Sequence, residues 1–458
     1  MRKIATIMLL AVIAATMVIV TSRTTTMAPA DGPAIVLSSN IPGDAQFGAL
    51  PPNPTNEQKL LAIQGDFDIY SWNTFIALNW PPGPDGNGDP NKTIGKNGDN
   101  DTVWEHYRDV ADIFLPGGAK PSYNGSVNVP TQCKAIYKPG MRIISQVGKT
   151  PTVLTEFSQP FNTGPLIAQN GNYTRYEILV NKPMFDYILS NTLYSKAGQK
   201  AFGNTPVKFT CGTVDNNGKT LVEGAIMVKS SWRIISPADK KRFHTQTVLV
   251  YSPASQNPKY PASCSTKLMG LVGLHIGHKT NSGAQWLWST FEHVDNAPTE
   301  ADVKSGKLKP QYSYYNPKCK ACKPNQVPPR PWDPTKISSF HSQVVRMNMF
   351  KGNEFAFTSA AERNADALKL LLGVSASSVW QNYELISTMW PTNTGTCQAN
   401  PGDPLGTPAP SFLANTTLET YIQGMVPNVS SNCIECHNNA TMTTPVPSDF
   451  TYILQRAQ

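Results

Sequence analysis

Charge is scarce in this chain. Asp, Glu, Lys and Arg make up 15% of its 458 residues, well under the usual quarter. The net charge of +8 is spread out, and no run of Lys and Arg with interleaved aromatics occurs, so no nucleic-acid partner is expected. No G-x-S-x-G, Walker A or H-E-x-x-H sequence is present. A serine-hydrolase elbow, a phosphate loop and a zinc-protease helix therefore give no signal. Beyond residue 20 no stretch is long or apolar enough to cross a bilayer, and no internal repeat is visible.

What the chain has instead is turn-forming residues, with 39 Pro and 32 Gly, and 40% hydrophobic residues. That is enough apolar material for a core and enough punctuation for many short strands. Arg2 and Lys3 precede an uncharged apolar run over residues 4–20, and Ala28-Pro29-Ala30 follows as a small-residue cleavage site. This order reads as an export signal over residues 1–30, with an uncleaved membrane anchor as the alternative. The membrane is an expected partner only in the second case.

The most informative stretch is Cys433-Ile434-Glu435-Cys436-His437. It reads C-x-x-C-H, the attachment signature of a covalent c-type haem. On one helical turn, positions i, i+3 and i+4 share a face. Cys433 and Cys436 can then form thioethers to the haem vinyl groups, with His437 as the proximal iron ligand. The other readings are a disulfide beside an incidental His, or half of a zinc site with Cys319 and Cys322 as the second pair. Besides Cys433 and Cys436 there are six cysteines, Cys133, Cys211, Cys264, Cys319, Cys322 and Cys397. An even remainder in an exported chain suggests up to three disulfides, with the pairing open. Cys319-Lys320-Ala321-Cys322-Lys323 has Lys in place of the haem His, and a disulfide is its better reading. The expected location is periplasmic or secreted, in a bacterial envelope.

Thr55 and Gln58 form a capping box that opens a helix, and Pro81 and Pro82 stop it. Asp85-x-Asn87-x-Asp89 resembles the start of a calcium loop. Pro90 and Lys96 stand where that loop needs Gly and Glu, so a solvated turn is expected and calcium is the minor alternative. Short strands are predicted at 140–147, 176–180 and 207–211, and stronger ones at 221–235 and 247–251. Residues 268–278 and 285–294 read as an antiparallel hairpin around Asn281-Ser282-Gly283. Alternation puts Leu274, Ile276 and His278 on one face and His275 on the other. In the second strand Leu287, Ser289, Phe291 and His293 oppose Trp286 and Trp288. Residues 359–372 and 377–390 read as helices, as do 418–425 and 448–457 around the haem motif.

The predicted fold class is therefore α+β. A large strand-rich domain with an antiparallel sheet and helices at both ends spans 31–395. A helical C-terminal segment, 396–458, carries the haem.

At the C-x-x-C-H motif the chain resembles c-type cytochromes. The segments SWNTFIALNWP (71–81), GLHIGHKT (273–280) and WLWSTFEHVDNAP (286–298), with the haem motif, also resemble a group of exported bacterial cytochrome-like proteins of undefined activity. This implies one covalent haem c and a redox partner protein. With only 21 residues after His437, the upstream domain is expected to form much of the pocket. A sixth iron ligand would be His or Met, or the position would be open. Three histidines fall on the hairpin, His275, His278 and His293, and are the candidate distal residues. His293 comes first because Asp295 could orient its imidazole; Glu292, on the opposite face, could not. The function expected is electron transfer by an exported monohaem cytochrome. The alternatives are a haem-dependent oxidoreductase of peroxidase or oxygenase type, and a ligand-binding module with a structural or sensor haem. Coordination number separates them, since a carrier is six-coordinate and an enzyme needs an open position.

Overall fold

Residues 263–293 form the centre of the molecule. The computed structural model describes residues 32–96, 101–145, 165–256, 259–328, 341–347, 353–393, 397, 407–423 and 432–458. Its described residues contain a mixed α+β fold built on one nine-stranded sheet. We number those strands β1 (Arg108–Asp109), β2 (Ile143–Ile144), β3 (Arg175–Val180), β4 (Ile226–Ile234), β5 (Thr245–Ser252), β6 (Ser263–Thr280), β7 (Gly283–His293), β8 (Tyr383–Pro391) and β9 (Pro408–Ala409). The order is β1-β3-β4-β6-β7-β8-β9, all antiparallel. β5 pairs with the first half of β6, and β2 lies parallel to β5.

β6 and β7 are the predicted hairpin, in the predicted register of faces. Leu274 and Ile276 of β6 and Phe291 of β7 point to one side. There they meet the helix α1 (Asn56–Leu78), whose Phe75 stacks on Phe291 with ring centroids 4.3 Å apart. The Thr55–Gln58 capping box opens α1 as expected. A second long helix, α5 (Glu354–Val374), packs beside α1 and against β8. Its inward residues are mostly small, Ala356, Ser359, Ala360 and Ala367, which lets the helices approach closely. Buried polar bonds fix their registry: Ser359 Oγ donates to Asp68 (2.6 Å) and Trp72 Nε1 to Asn364 (3.0 Å).

The shorter helices α2 (Lys182–Ser190), α3 (Lys196–Phe202) and α4 (Glu300–Ser305) lie between strands and in the connection after β7. Among the described residues no helix is long and apolar enough to cross a membrane. Residues 1–31, with the expected signal or anchor, lie outside the described residues, as does the boundary at 395–396.

Several sequence expectations are corrected, among them the strand at 207–211, where no strand forms. Residues 377–390 are a 3-10 turn (Val379–Asn382) followed by strand β8. Tyr383, Ile386, Thr388 and Trp390 favour a pleated, half-covered surface, and pairing with β7 overrides any helical spacing. The stretch 418–423 is a series of turns, its backbone bonds local and its side chains held by tertiary partners, Glu419 by His275 on β6 and Tyr421 by Ser342 and the Pro165 carbonyl. Near the C-terminus only a short 3-10 helix, Tyr452–Arg456, forms. Strand 221–235 is broken at Gly224, where φ is 85° and a Cβ would strike neighbouring backbone.

All six cysteines outside the C-x-x-C-H stretch are in disulfides, Cys133–Cys264, Cys211–Cys397 and Cys319–Cys322. The Cys319 pair is thus closed on itself and supplies no zinc ligands. Cys433 and Cys436 stand as thiols.

Candidate functional site

The face of the hairpin turned away from α1 carries Gly273, His275, Gly277 and Lys279 on β6, and Trp286, Trp288, Thr290 and Glu292 on β7. The C-terminal tail lies on this face and touches it in order. Glu292 accepts from Thr416 N (2.6 Å). His275 Nε2 meets Glu419 at 2.9 Å. Trp288 packs on His437, and Lys279 pairs with Asp449. The pleat of one hairpin therefore determines which residues can meet the C-x-x-C-H motif.

The motif forms the short helix α6 (Cys433–Asn438). Asn432 caps it, its side chain accepting from Glu435 N at 2.9 Å, as an Asn at this position should. Ile434 is fully buried and anchors the helix in the core formed with Met389, Trp288 and Phe450. Cys433, Cys436 and His437 stay partly exposed on the remaining surface. The spacing expected from the sequence is thus realised on one helical turn.

His437 is tightly oriented. Its Nδ1 donates to the carbonyl oxygen of Phe450 at 2.7 Å. A carbonyl can only accept, so in the neutral ring Nδ1 holds the proton and Nε2 keeps its lone pair. Trp288 lies with its ring centroid 4.4 Å from the imidazole, and Tyr452 approaches edge-on at 5.4 Å. The Tyr452 hydroxyl donates to the Cys436 carbonyl (2.7 Å), which ties the end of the chain to the motif. Both Asp449 and Phe450 have positive φ, 54° and 61°.

The candidate distal histidines are placed as follows. His278 points to the α1 face, opposite the motif; its Nδ1 meets Tyr70 and its Nε2 the Glu223 carbonyl. Burial pushes its pKa down to about 4. His293 stacks on Phe243, with centroids 3.9 Å apart. Its Nε2 donates to Arg242 O (2.8 Å) and its Nδ1 accepts from Asp295 N (3.1 Å). Burial pushes it down to about 3. It also lies five residues along β7 from Trp288, roughly 16 Å away. His275 alone shares the face of Trp288. Its ring nitrogens contact Glu419 and the Thr290 hydroxyl, each at 2.9 Å. In this arrangement all three make hydrogen bonds within the fold, and only His275 faces the side that carries His437.

The Asp85–Asp89 loop is closed on itself: Asp85 accepts from Asn87 N (3.1 Å) and Asp89 from Asn91 N (3.0 Å). Among the described residues no three His, Cys, Asp or Glu side chains gather as a metal site. The donor set at α6 nonetheless fits a covalent haem: two thiols one turn apart and an imidazole whose Nε2 is held in acceptor form.

The sequence reading did not single out Trp288, Lys279, Asp449, Phe450 and Tyr452 as neighbours of the motif. One signal was available, since Lys279 ends an apolar strand segment that carries no other charge from 268 onwards. Compared with known proteins, the chain matches no family model, no curated protein and no solved structure.

Proposed function

We propose that this protein is an exported monohaem c-type cytochrome that transfers electrons to or from a partner protein. Cys433 and Cys436 are its thioether donors and His437 its proximal ligand. The observation that carries this reading is the His437 Nδ1 bond to Phe450 O on the same short helix that presents the two thiols. A metal-ligating histidine characteristically donates its other ring nitrogen to a carbonyl or carboxylate. Three disulfides elsewhere suit the oxidising periplasm in which such a chain would be matured.

Haem, when bound, supplies a one-electron iron couple. The chain does the rest. Ile434 fixes the motif to the sheet, Trp288 and Tyr452 limit rotation of the imidazole, and the Phe450 carbonyl makes Nε2 more basic. An oxidoreductase with an open iron position, or a binding module with a sensor haem, would use the same attachment.

The test is expression of the full chain in a host with haem-attachment machinery. Haem that stays with the denatured chain, and is lost when both Cys433 and Cys436 are changed to Ala, is the expected result. An unbound chain, or one indifferent to that change, would overturn the proposal. Reduced spectra with carbon monoxide then separate the alternatives: indifference marks a carrier, ready binding an enzyme or sensor.

A further inference from the structure

We propose that the buried Lys279–Asp449 ion pair is a positioning device for His437, holding the Asp449–Phe450 turn so that the Phe450 carbonyl stays on Nδ1. The consequence for iron rests on the haem reading above; the positioning itself does not.

Lys279 is 2% exposed and Asp449 0%. Their ion pair joins β6 to the C-terminal tail, 170 residues apart in sequence. The same Asp449 oxygen accepts from Phe209 N at 2.7 Å. Asp449 is therefore fixed from two directions. Ser448 closes the turn, its N donating to Ala440 O (3.0 Å) and its hydroxyl to Thr451 O (2.6 Å). The Phe450 side chain, 1% exposed, is locked in the core.

Two successive non-glycine residues in the left-handed region are costly, and they persist where the surroundings over-determine them. Trp286 is a third, with φ 67°. Three of the six non-glycine residues with positive φ among the described residues are thus Trp286, on the hairpin face beneath the tail, and the two residues of this turn. A buried ion pair is a poor source of stability, since apolar replacements often do as well. What this pair adds is a tie from β6 to the turn whose carbonyl orients His437. A firm Nδ1–H···O=C bond raises the basicity of Nε2 and so favours the ferric state.

The experiment compares Lys279→Met with the neutral hydrogen-bonding pair Lys279→Gln/Asp449→Asn. Asn tolerates a left-handed conformation, so the double variant keeps the turn and removes only the charges. The first readout is the His437 tautomer, by nitrogen NMR of the full chain carrying Cys433→Ala and Cys436→Ala and hence no covalent haem. We expect the Nδ1–H tautomer in the parent, its loss in Lys279→Met and its return in the double variant. The second readout is the reduction potential of the haem-loaded chain. Loss of positioning raises the potential, whereas loss of the lysine charge alone would lower it. A raised potential in Lys279→Met, restored in the double variant, supports the proposal. A folded Lys279→Met with unchanged tautomer, or with a lowered potential, overturns it. If Lys279→Met does not fold, a double variant that folds but lacks the Nδ1–H tautomer overturns it equally. A chain with the expected tautomers that takes up no haem refutes the cytochrome reading and leaves the positioning role standing.

Discussion

The indole of Trp288 and the imidazole of His437 lie with ring centroids 4.4 Å apart and planes inclined by 47°. Trp288 sits in a row across the sheet, Met227–Gly277–Trp288–Met389, directly beneath the tail. Trp288→Ala is expected to cost about 3–5 kcal/mol, because it opens a cavity between sheet and tail. Trp288→Phe should cost less. Urea midpoints of the two variants check this, and equal midpoints would show that the ring does not support the motif.

Buried titrating groups oppose one another in this protein. His278 and His293 are held by burial at about 4 and about 3. Below pH 6.5 the unfolded chain takes up protons that these folded histidines refuse, so each removes stability as pH falls, about 2 kcal/mol at pH 5. Asp68 and Asp109 are pushed up by burial, to about 7 and about 6. They hold protons that the unfolded chain has released, so they remove stability as pH rises from about 4 to 7. The two sets therefore act against each other between pH 5 and 7. On acidification Asp68→Asn should lose more stability than the parent, and His293→Gln less. Denaturant titrations at the two pH values read the signs, and a difference from the parent of the opposite sign in either variant would refute the assignment.

Arg142 bridges Glu105 and Glu177, whose side chains are each 3% exposed. Its guanidinium carbon lies over the rings of Trp104 and Trp232, at 5.4 and 5.3 Å from their centroids. Arg142→Met leaves two buried carboxylates without their shared cation, and about 3–5 kcal/mol should be lost. Arg142→Lys should recover little of it, because a compact ammonium lacks the planar fork that reaches both carboxylates while lying over the two indoles. Thermal unfolding of the pair of variants decides.

What the sequence disclosed is what local physics determines. The hairpin was legible because its side chains alternate, and α1 because Thr55 and Gln58 cap it. The helical turn at Cys433–His437 was legible from its i, i+3, i+4 spacing. β8 was misread because its strand character comes from pairing with β7. The choice among His275, His278 and His293 was not legible either. Alternation separated the faces correctly, but nothing in the chain said which face the tail would cover. That depends on contacts such as Lys279–Asp449 and His275–Glu419, which span 170 and 144 residues.

The disulfides should contribute unequally. Cys133–Cys264 and Cys211–Cys397 close separations of 131 and 186 residues, and Cys319–Cys322 one of 3. On chain-entropy grounds each long bridge is worth about 5 kcal/mol and the short one about 2. Paired Cys→Ser variants should rank in that order in urea. A Cys319/Cys322 variant as damaged as the others would show that the short bridge does more than restrict the unfolded chain.

Two glycines on one face of β6 test whether the tail is seated as described. At Gly273 an added Cβ would overlap Thr417 Oγ1 and lie 2.7 Å from Ser231 Oγ and 3.0 Å from Asn415 Oδ1. None of these groups is at liberty to yield. Thr417 and Ser231 bond each other at 2.7 Å, and Asn415 Nδ2 donates to Phe291 O at 2.9 Å. At Gly277 the nearest atoms are the Trp286 and Trp288 rings, 3.5 and 3.6 Å away, which is ordinary contact. Gly273→Ala should therefore cost about 1–3 kcal/mol and lift the 413–423 segment, making that segment the first site of proteolytic cleavage. Gly277→Ala, four residues on, should be tolerated, since its methyl only fills space beside the two indoles. Equal sensitivity of the two sites would mean that strand β6 resists alanine for backbone reasons. A difference in the expected direction ties the cost to the tail itself.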